Sequence, residues 1–281
     1  MKKINVCVVL PEGYIPAFAM IELGELIFYS IRELGYSVKL QPNIIDPDSQ
    51  NIILGCHMLS KDSIPEIPKD SIIVNTEQVY SGAADWNPNT FEWISKFQVW
   101  DYSEKNILNL NALGITRVKH LKIGYQKELN RIKKIEVKDI DVLFYGSVND
   151  RRGKILNALK ESGLNVQHFF GVYGAEKDVL IQRSKVVLNL HFYDSQIFEI
   201  IRVFYLLTNS IAVVGEVNPT TFIDSMYLNG IYSSQYDALV ESCHLLVKDS
   251  KQRIILEQRA LDTIKKYPQA AFMESLLLGA Y

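Results

Sequence analysis

Cysteine is scarce in this 281-residue chain: Cys7, Cys56 and Cys243 stand far apart, with no CxxC spacing. That excludes a disulfide framework and a cysteine-based zinc site. Cys7 and Cys56 lie in apolar runs and read as small core residues. No apolar run reaches the ~20 residues needed to span a bilayer. The opening MKKINVCVVLPEGY breaks at Pro11-Glu12-Gly13, too early for a signal peptide. A cytoplasmic protein is expected, with at most transient contact with a membrane surface. There is no excess of one charge either: 30 basic against 32 acidic residues leaves a net charge of −2. A general nucleic-acid binder would carry a strongly basic domain, so no nucleic-acid partner is expected. The first strand-to-helix turn, LPEGYIP, lacks G-x-G-x-x-G, which disfavours a conventional dinucleotide site. The two D-x-D matches, Asp46-Pro47-Asp48 and Asp139-Ile140-Asp141, fall in a turn and before a strand, where neither forms a strand-tip metal site.

What the chain does have is an α/β rhythm, repeated. Hydrophobic residues make up 48% and charged residues 22%, enough apolar material for full cores. The length suits two domains of about 120–140 residues each. Strands are expected at residues 4–10, 37–40, 51–54, 71–74, 97–100 and 118–123, with an amphipathic helix over 18–34 and a helix capped by Ser103. Residues 126–139 are charged and lack an apolar face, which suits an exposed linker. The pattern restarts at 140–145 and 166–170, and residues 235–267 read as helical. A last apolar helix over 269–281 packs back across the domain junction. Strands alternating with helices point to parallel sheets covered on both faces.

One stretch organises the second half: KVVLNLHFYDSQIFEIIRVFYLLTNSIAVVGE, residues 185–216. A buried strand ends in Asn189, His191, Tyr193 and Asp194. A helix follows with Glu199 in its first turns and Arg202 three residues on, then another buried strand ending at Gly215-Glu216. Open α/β sheets bind ligands outside the carboxyl ends of their strands, and the polar residues collect there. Residues i and i+3 share a helix face. A carboxylate there can take hydrogen bonds from sugar hydroxyls, and a guanidinium can grip phosphate. Arg151 and Arg152 begin a helix, where positive charge opposes the dipole unless an anion is bound. Glu12, His57 and Glu77 each follow a strand of the first half, and any of them could deprotonate a hydroxyl, as could His191. His168 and His244 sit within strand and helix patterns and read as structural. Trp93 and Trp100 read as core, while Trp86 lies in a loop and could stack on a sugar.

DVLFYGSVNDRR (141–152), KVVLNLHFYDSQIFEIIR (185–202) and AVVGE (212–216) resemble the donor-binding half of GT-B glycosyltransferases. VWDYSEKNILNLNALG (99–114) and HLKIGY (120–125) resemble the end of the acceptor half in small bacterial family 1/4-like members. The resemblance implies two facing Rossmann-like doubly wound domains. Residues 1–125 would form an acceptor domain, 126–139 a linker and 140–268 a donor domain, with the helix at 269–281 returning to the first. The implied activity is transfer of a hexosyl or pentosyl group from a nucleoside diphosphate donor to an acceptor hydroxyl, in bacterial surface glycan or glycoconjugate synthesis. The implied partners are a small-molecule sugar donor and a glycan or glycolipid acceptor, with no cofactor or metal. Gly146 and Ser147 match the glycine turn at the diphosphate; Arg151 and Arg152 stand where a basic residue neutralises it. Tyr173, Asn189, Glu199, Arg202 and Glu216 complete the implied donor site. Alanine at Arg152 or Glu199 is expected to abolish transfer and leave folding intact. Related enzymes often carry a ribose-binding glutamate where this chain has Tyr205. That departure keeps open a sugar phosphate donor without a nucleotide, as in a phosphoribosyl-type transferase, and a non-catalytic sugar-nucleotide-binding protein.

Overall fold

The structure is a computed structural model describing residues 3–79, 88–193 and 196–278. Trp86, Asp194 and the last three residues of the chain lie outside the described residues. The chain divides into two compact units, with boundaries after Gln126 and again at Pro268.

The first unit contains β1 (Ile4–Val8), α1 (Ile21–Glu33), β2 (Val38–Leu40), β3 (Gln50–Leu54), β4 (Ile72–Asn75), α2 (Pro88–Lys96), β5 (Gln98–Asp101), α3 (Glu104–Ala112) and β6 (Val118–His120). Its strands form one sheet in the order β2-β1-β3-β4-β5-β6, parallel throughout. Every residue of β1 and of β4 is buried, as expected of strands covered on both faces. On one face Cys7, Ile53 and Ile73 pack with Trp93, Phe97 and Leu110. The second unit contains β7 (Ile140–Tyr145), α4 (Asp150–Glu161), β8 (Val166–Phe169), α5 (Gly174–Arg183), β9 (Ser184–Asn189), α6 (Ile200–Thr208), β10 (Val213–Glu216), β11 (Tyr232–Ser234), α7 (Leu239–Lys248) and α8 (Ser250–Lys265). Its strands run parallel in the order β11-β10-β9-β7-β8. Val142, Phe144, Val186, Leu188 and Val214 lead its core with Leu159 and Leu246. Each sheet is therefore doubly wound. The strand order reverses between β1 and β3 in the first and between β7 and β9 in the second, the crevices where such sheets take ligands.

Several local expectations need correction. The helix expected over 18–34 begins instead as a 3-10 turn at Ile15–Met20, with Pro16 in its first turn, and becomes α-helical at Ile21. Residues 235–267 are two helices, because Asp249 breaks the run and its side chain accepts the amides of Lys251 and Gln252. Residues 126–139 are not a free linker. Leu129 and Ile132 are buried, and the Arg131 and Ile132 amides donate to Asn209 Oδ1 at 2.8 Å each. Asn209 Nδ2 returns a bond to the Leu129 carbonyl. Asn209 is the C-cap of α6, so this segment is pinned to the second unit. Composition showed its charges but not that Leu129 and Ile132 would find an apolar seat. The last helix, α9 (Gln269–Leu278), belongs with the first unit. The fully buried Gln269 accepts from the Gly124 amide at 2.5 Å and donates to the Lys122 carbonyl at 3.0 Å.

Among the described residues no helix is long and apolar enough to cross a membrane. The two D-x-D matches are structural: Asp46 orders its own turn through Asp48 and Ser49, while Asp139 pairs with Arg183 and Asp141 with Lys185 at the amino end of β7.

Candidate functional site

The carboxyl ends of β7, β9 and β10 gather most of the residues singled out in the second half. Glu216 closes β10 with no exposed surface, and Arg151 meets it with both terminal nitrogens. The His191 amide at 3.0 Å and Asn218 Nδ2 at 2.7 Å donate to the same carboxylate. Burial alone would raise the Glu216 carboxyl, but these donors outweigh it and hold it below the usual carboxylate range. The Arg151 guanidinium lies 4.1 Å from the centre of the Tyr236 ring, a cation–π contact that fixes its plane. Arg152 is buried deeper, at 2% exposure. It donates to the carbonyls of Ser147 (2.9 Å), His191 (3.3 Å) and Leu190, and to Glu199 Oε1 at 2.5 Å.

Glu199 takes Arg202 on its other oxygen, at 2.8 Å. It sits at the N-cap of α6 rather than inside the helix, so its carboxylate bridges two guanidinium groups. Sequence reading left Glu199 free for sugar hydroxyls and Arg151 and Arg152 free for phosphate. In the structure all three engage each other or Glu216. The charges of the five groups balance to a single excess positive one. That excess is best placed on Arg202, which lies against the Gly146 turn and holds Asn189 Oδ1 at 3.4 Å.

Gly146 has φ +131°, and a Cβ built there would stand 3.0 Å from the Arg202 guanidinium nitrogen. Both facts demand glycine. Its amide is committed to the Phe169 carbonyl, so it is not the phosphate donor that the motif suggested. Ser147 follows, exposed, and Asn149 caps α4 by accepting the Arg152 amide. His168, which periodicity assigned to structure, holds the Gly146 carbonyl at 2.9 Å and stacks on Phe144. Its position at the end of β8 was the signal that could have raised it. Tyr173, the N-cap of α5, lies half-buried on the loop after β8.

His191 is 1% exposed. Its Nε2 lies 3.1 Å from Thr221 Oγ1, which also accepts the Asn218 amide. The Thr221 hydroxyl donates in turn to Gln196 Oε1 at 3.3 Å, so its oxygen can accept a proton carried on His191 Nε2. Among the described residues His191 Nδ1 and the neighbouring Asn189 Nδ2 are buried without a hydrogen-bond partner. Burial lowers the His191 pKa, against the pull of Glu216 and Glu199. A histidine depressed in the folded state contributes stability present above its ordinary value near 6.5 and lost as pH falls. Denaturant midpoints at pH 7.5 and 5.5 should therefore fall further in the native protein than in His191→Gln; parallel falls would disprove the assignment.

In the first unit the strand ends carry a second group. Glu12 is exposed on the turn after β1. His57 and Glu77, after β3 and β4, come together, with His57 Nε2 and Glu77 Oε1 3.9 Å apart and both partly exposed. Gly55 makes this possible: its φ is +84°, and a Cβ would meet Met58 and Met20 at 2.6 and 2.8 Å. Asp101, at the end of β5, has no exposed surface and was passed over in the sequence. The structure places Trp93 and Trp100 in the core. Among the described residues, no three His, Cys, Asp or Glu side chains converge as a metal site would.

No protein-family model matches the chain. Two uncharacterised proteins of Acanthamoeba polyphaga mimivirus are similar: L140, 28% identical over 69% of this chain, and L137, 27% identical over 77%. The chain spans 64% and 30% of their respective lengths. Among solved structures, T4 phage BGT in complex with its UDP-glucose substrate superposes with a TM-score of 0.61 at 11% identity, covering 98% of both chains. WaaG, a glycosyltransferase involved in lipopolysaccharide biosynthesis, gives 0.61 at 11% over 97% of this chain and 98% of its own. Anabaena HepE in complex with UDP and glucose gives 0.62 at 9% over 100% and 99%. At such identities the likeness establishes the fold, two Rossmann-like parallel-sheet domains of the GT-B type.

Proposed function

We propose that this chain is a glycosyltransferase which takes a sugar from a nucleoside diphosphate donor bound to the second unit and delivers it to an acceptor hydroxyl on the first. The observation that carries the reading is Arg202 set against the Gly146 turn at the reversal point of the second sheet, with one positive charge left over. A cation prearranged where negative charge develops is the largest contribution many transferases make. Similar structures hold UDP-glucose or UDP with glucose, which makes a UDP-sugar the first donor to test. The acceptor oxygen attacks the anomeric carbon, and the bond to the phosphate breaks with its electron pair. The diphosphate leaves against Arg202, while the hydroxyl proton passes to Glu77, with His57 beside it. In this reading no resident metal is needed, and the acceptor belongs to a surface glycan or glycoconjugate.

Tyr205 favours one second reading. It is 1% exposed, accepts from Arg131 Nε and donates to Asp178 Oδ1, at 2.8 Å each. A residue so engaged offers nothing to a ribose, which suits a sugar phosphate donor lacking a nucleotide. A panel of UDP-, GDP- and ADP-sugars against simple sugar phosphates separates the two. A ligand that binds only the folded state raises Tm, by about 2.7 kcal/mol of stability at a hundredfold excess over Kd. We expect a UDP-sugar to raise Tm, released nucleoside diphosphate to accumulate, and both effects to vanish in Gly146→Ala. A shift with sugar phosphates alone would select the second reading; binding without turnover would make the protein a sensor.

A further inference from the structure

We infer that Asp101 is a positioning residue, which through Asn75 and Asn106 fixes the loop that presents Glu77. The inference rests on the reading of Glu77 as the base. Asp101 accepts from Asn75 Nδ2 at 2.7 Å and from Asn106 Nδ2 at 3.1 and 3.2 Å. The Ser103 amide at 2.8 Å completes its set. The bonds from Ser103 and Asn106 hold the start of α3, while the one from Asn75 reaches the end of β4. The same two carboxamide nitrogens each donate also to the Glu77 carbonyl, at 2.9 Å. Their oxygens accept the loop amides, Glu77 N–H on Asn75 at 3.3 Å and Val79 N–H on Asn106 at 2.8 Å.

The chemistry makes this arrangement one-way. Burial pushes the Asp101 carboxyl up to about 7; above that pH it is ionised and has no hydrogen to give, so both asparagines must turn their NH2 groups toward it. Their oxygens are thereby left facing the loop, where Glu77 and Val79 need acceptors. Asn75 and Asn106 are 3% and 0% exposed, so water does not compete. Burial alone would push the Asp101 carboxyl higher still; the bonds it accepts oppose that. Asparagine at 101 would set an NH2 against one of its neighbours' NH2 groups. One carboxamide must then flip, and it takes an acceptor away from Glu77 or Val79.

The test uses the full chain and Asp101→Asn, Glu77→Gln and their double variant, with UDP-sugar hydrolysis followed as released UDP. Misplacing a catalytic group by about 1 Å costs on the order of 10²-fold. We expect kcat in Asp101→Asn to fall by roughly that factor, with the donor KM within twofold of native, because the donor sits on the other unit. The double variant should be no slower than Glu77→Gln alone, since residues acting as one unit are not additive. Multiplied losses, or native kcat in Asp101→Asn, would overturn the inference. Native kcat in Glu77→Gln would instead remove the base itself. Amide exchange over residues 75–79 should quicken at least tenfold in Asp101→Asn, and an unchanged rate there overturns the inference even if no sugar nucleotide is turned over. Should Asp101→Asn fail to fold, Asn75→Ser cuts the same connection and carries the same expectations.

Discussion

Glu199→Ala should destabilise the second unit by about 3–5 kcal/mol, because it leaves a buried guanidinium without its counter-charge. An exposed i, i+3 pair would lose only ~0.5 kcal/mol. The difference comes from Arg152, whose side chain is 3% exposed and pairs with Glu199 at 2.5 Å. Arg152→Ala should cost a comparable amount, for it strips a donor from the carbonyls of Ser147, Leu190 and His191. The sequence pattern alone suggested that both changes would spare folding; burial reverses that expectation. Urea unfolding of the two variants measures it directly, and midpoints within 0.5 M of native would contradict the buried network. Replacing both ends with apolar residues of similar volume, as in Arg152→Met with Glu199→Leu, should recover most of the stability, since such swaps are often neutral. Binding of a UDP-sugar should not return, because Arg202 has then lost the carboxylate that aims it. That separation of stability from binding distinguishes a ligand site from a structural ion cluster.

Glu77→Gln should lower kcat by roughly 10²–10⁴-fold, the usual worth of a general base, while the donor KM stays near native. Removing an interaction made only at the transition state has that signature. His57→Gln should do less, since the ring lies 3.9 Å from the carboxylate and orients rather than accepts. Turnover and saturation with a UDP-sugar would give both constants. If Glu12→Gln, rather than Glu77→Gln, produced the large fall, the base would move to the exposed turn after β1. If neither changed kcat, deprotonation on the first unit would be abandoned.

Much of the architecture could be read from the residues because its causes are local. Short apolar runs such as 186–188 and 211–214, bounded by turn residues, read as strands covered on both faces, and the helices between them are marked by period and caps. The polar residues of the second-unit site were legible for the same reason, each lying close to the end of a strand or the start of a helix. Their roles were not. Arg151 and Glu216 are 65 positions apart, and Arg152 and Glu199 are 47 apart, so no window of sequence shows that the arginines arrive already matched. Asp101 was missed in the same way: DYS reads as an ordinary helix start, and its partners come from β4 and α3.

The residues by themselves determined two doubly wound sheets and the ends of the strands at which chemistry could gather, because hydrogen-bond direction and hydrophobic period are properties of neighbours along the chain. Only the folded arrangement decided which charges cancel, leaving Arg202 as the best-placed cation, Glu199 as a bridge and Glu77 fixed from beneath by a buried carboxylate. Coulomb and hydrogen-bond energies depend on distances through space, and those distances exist only once the strands have been laid side by side.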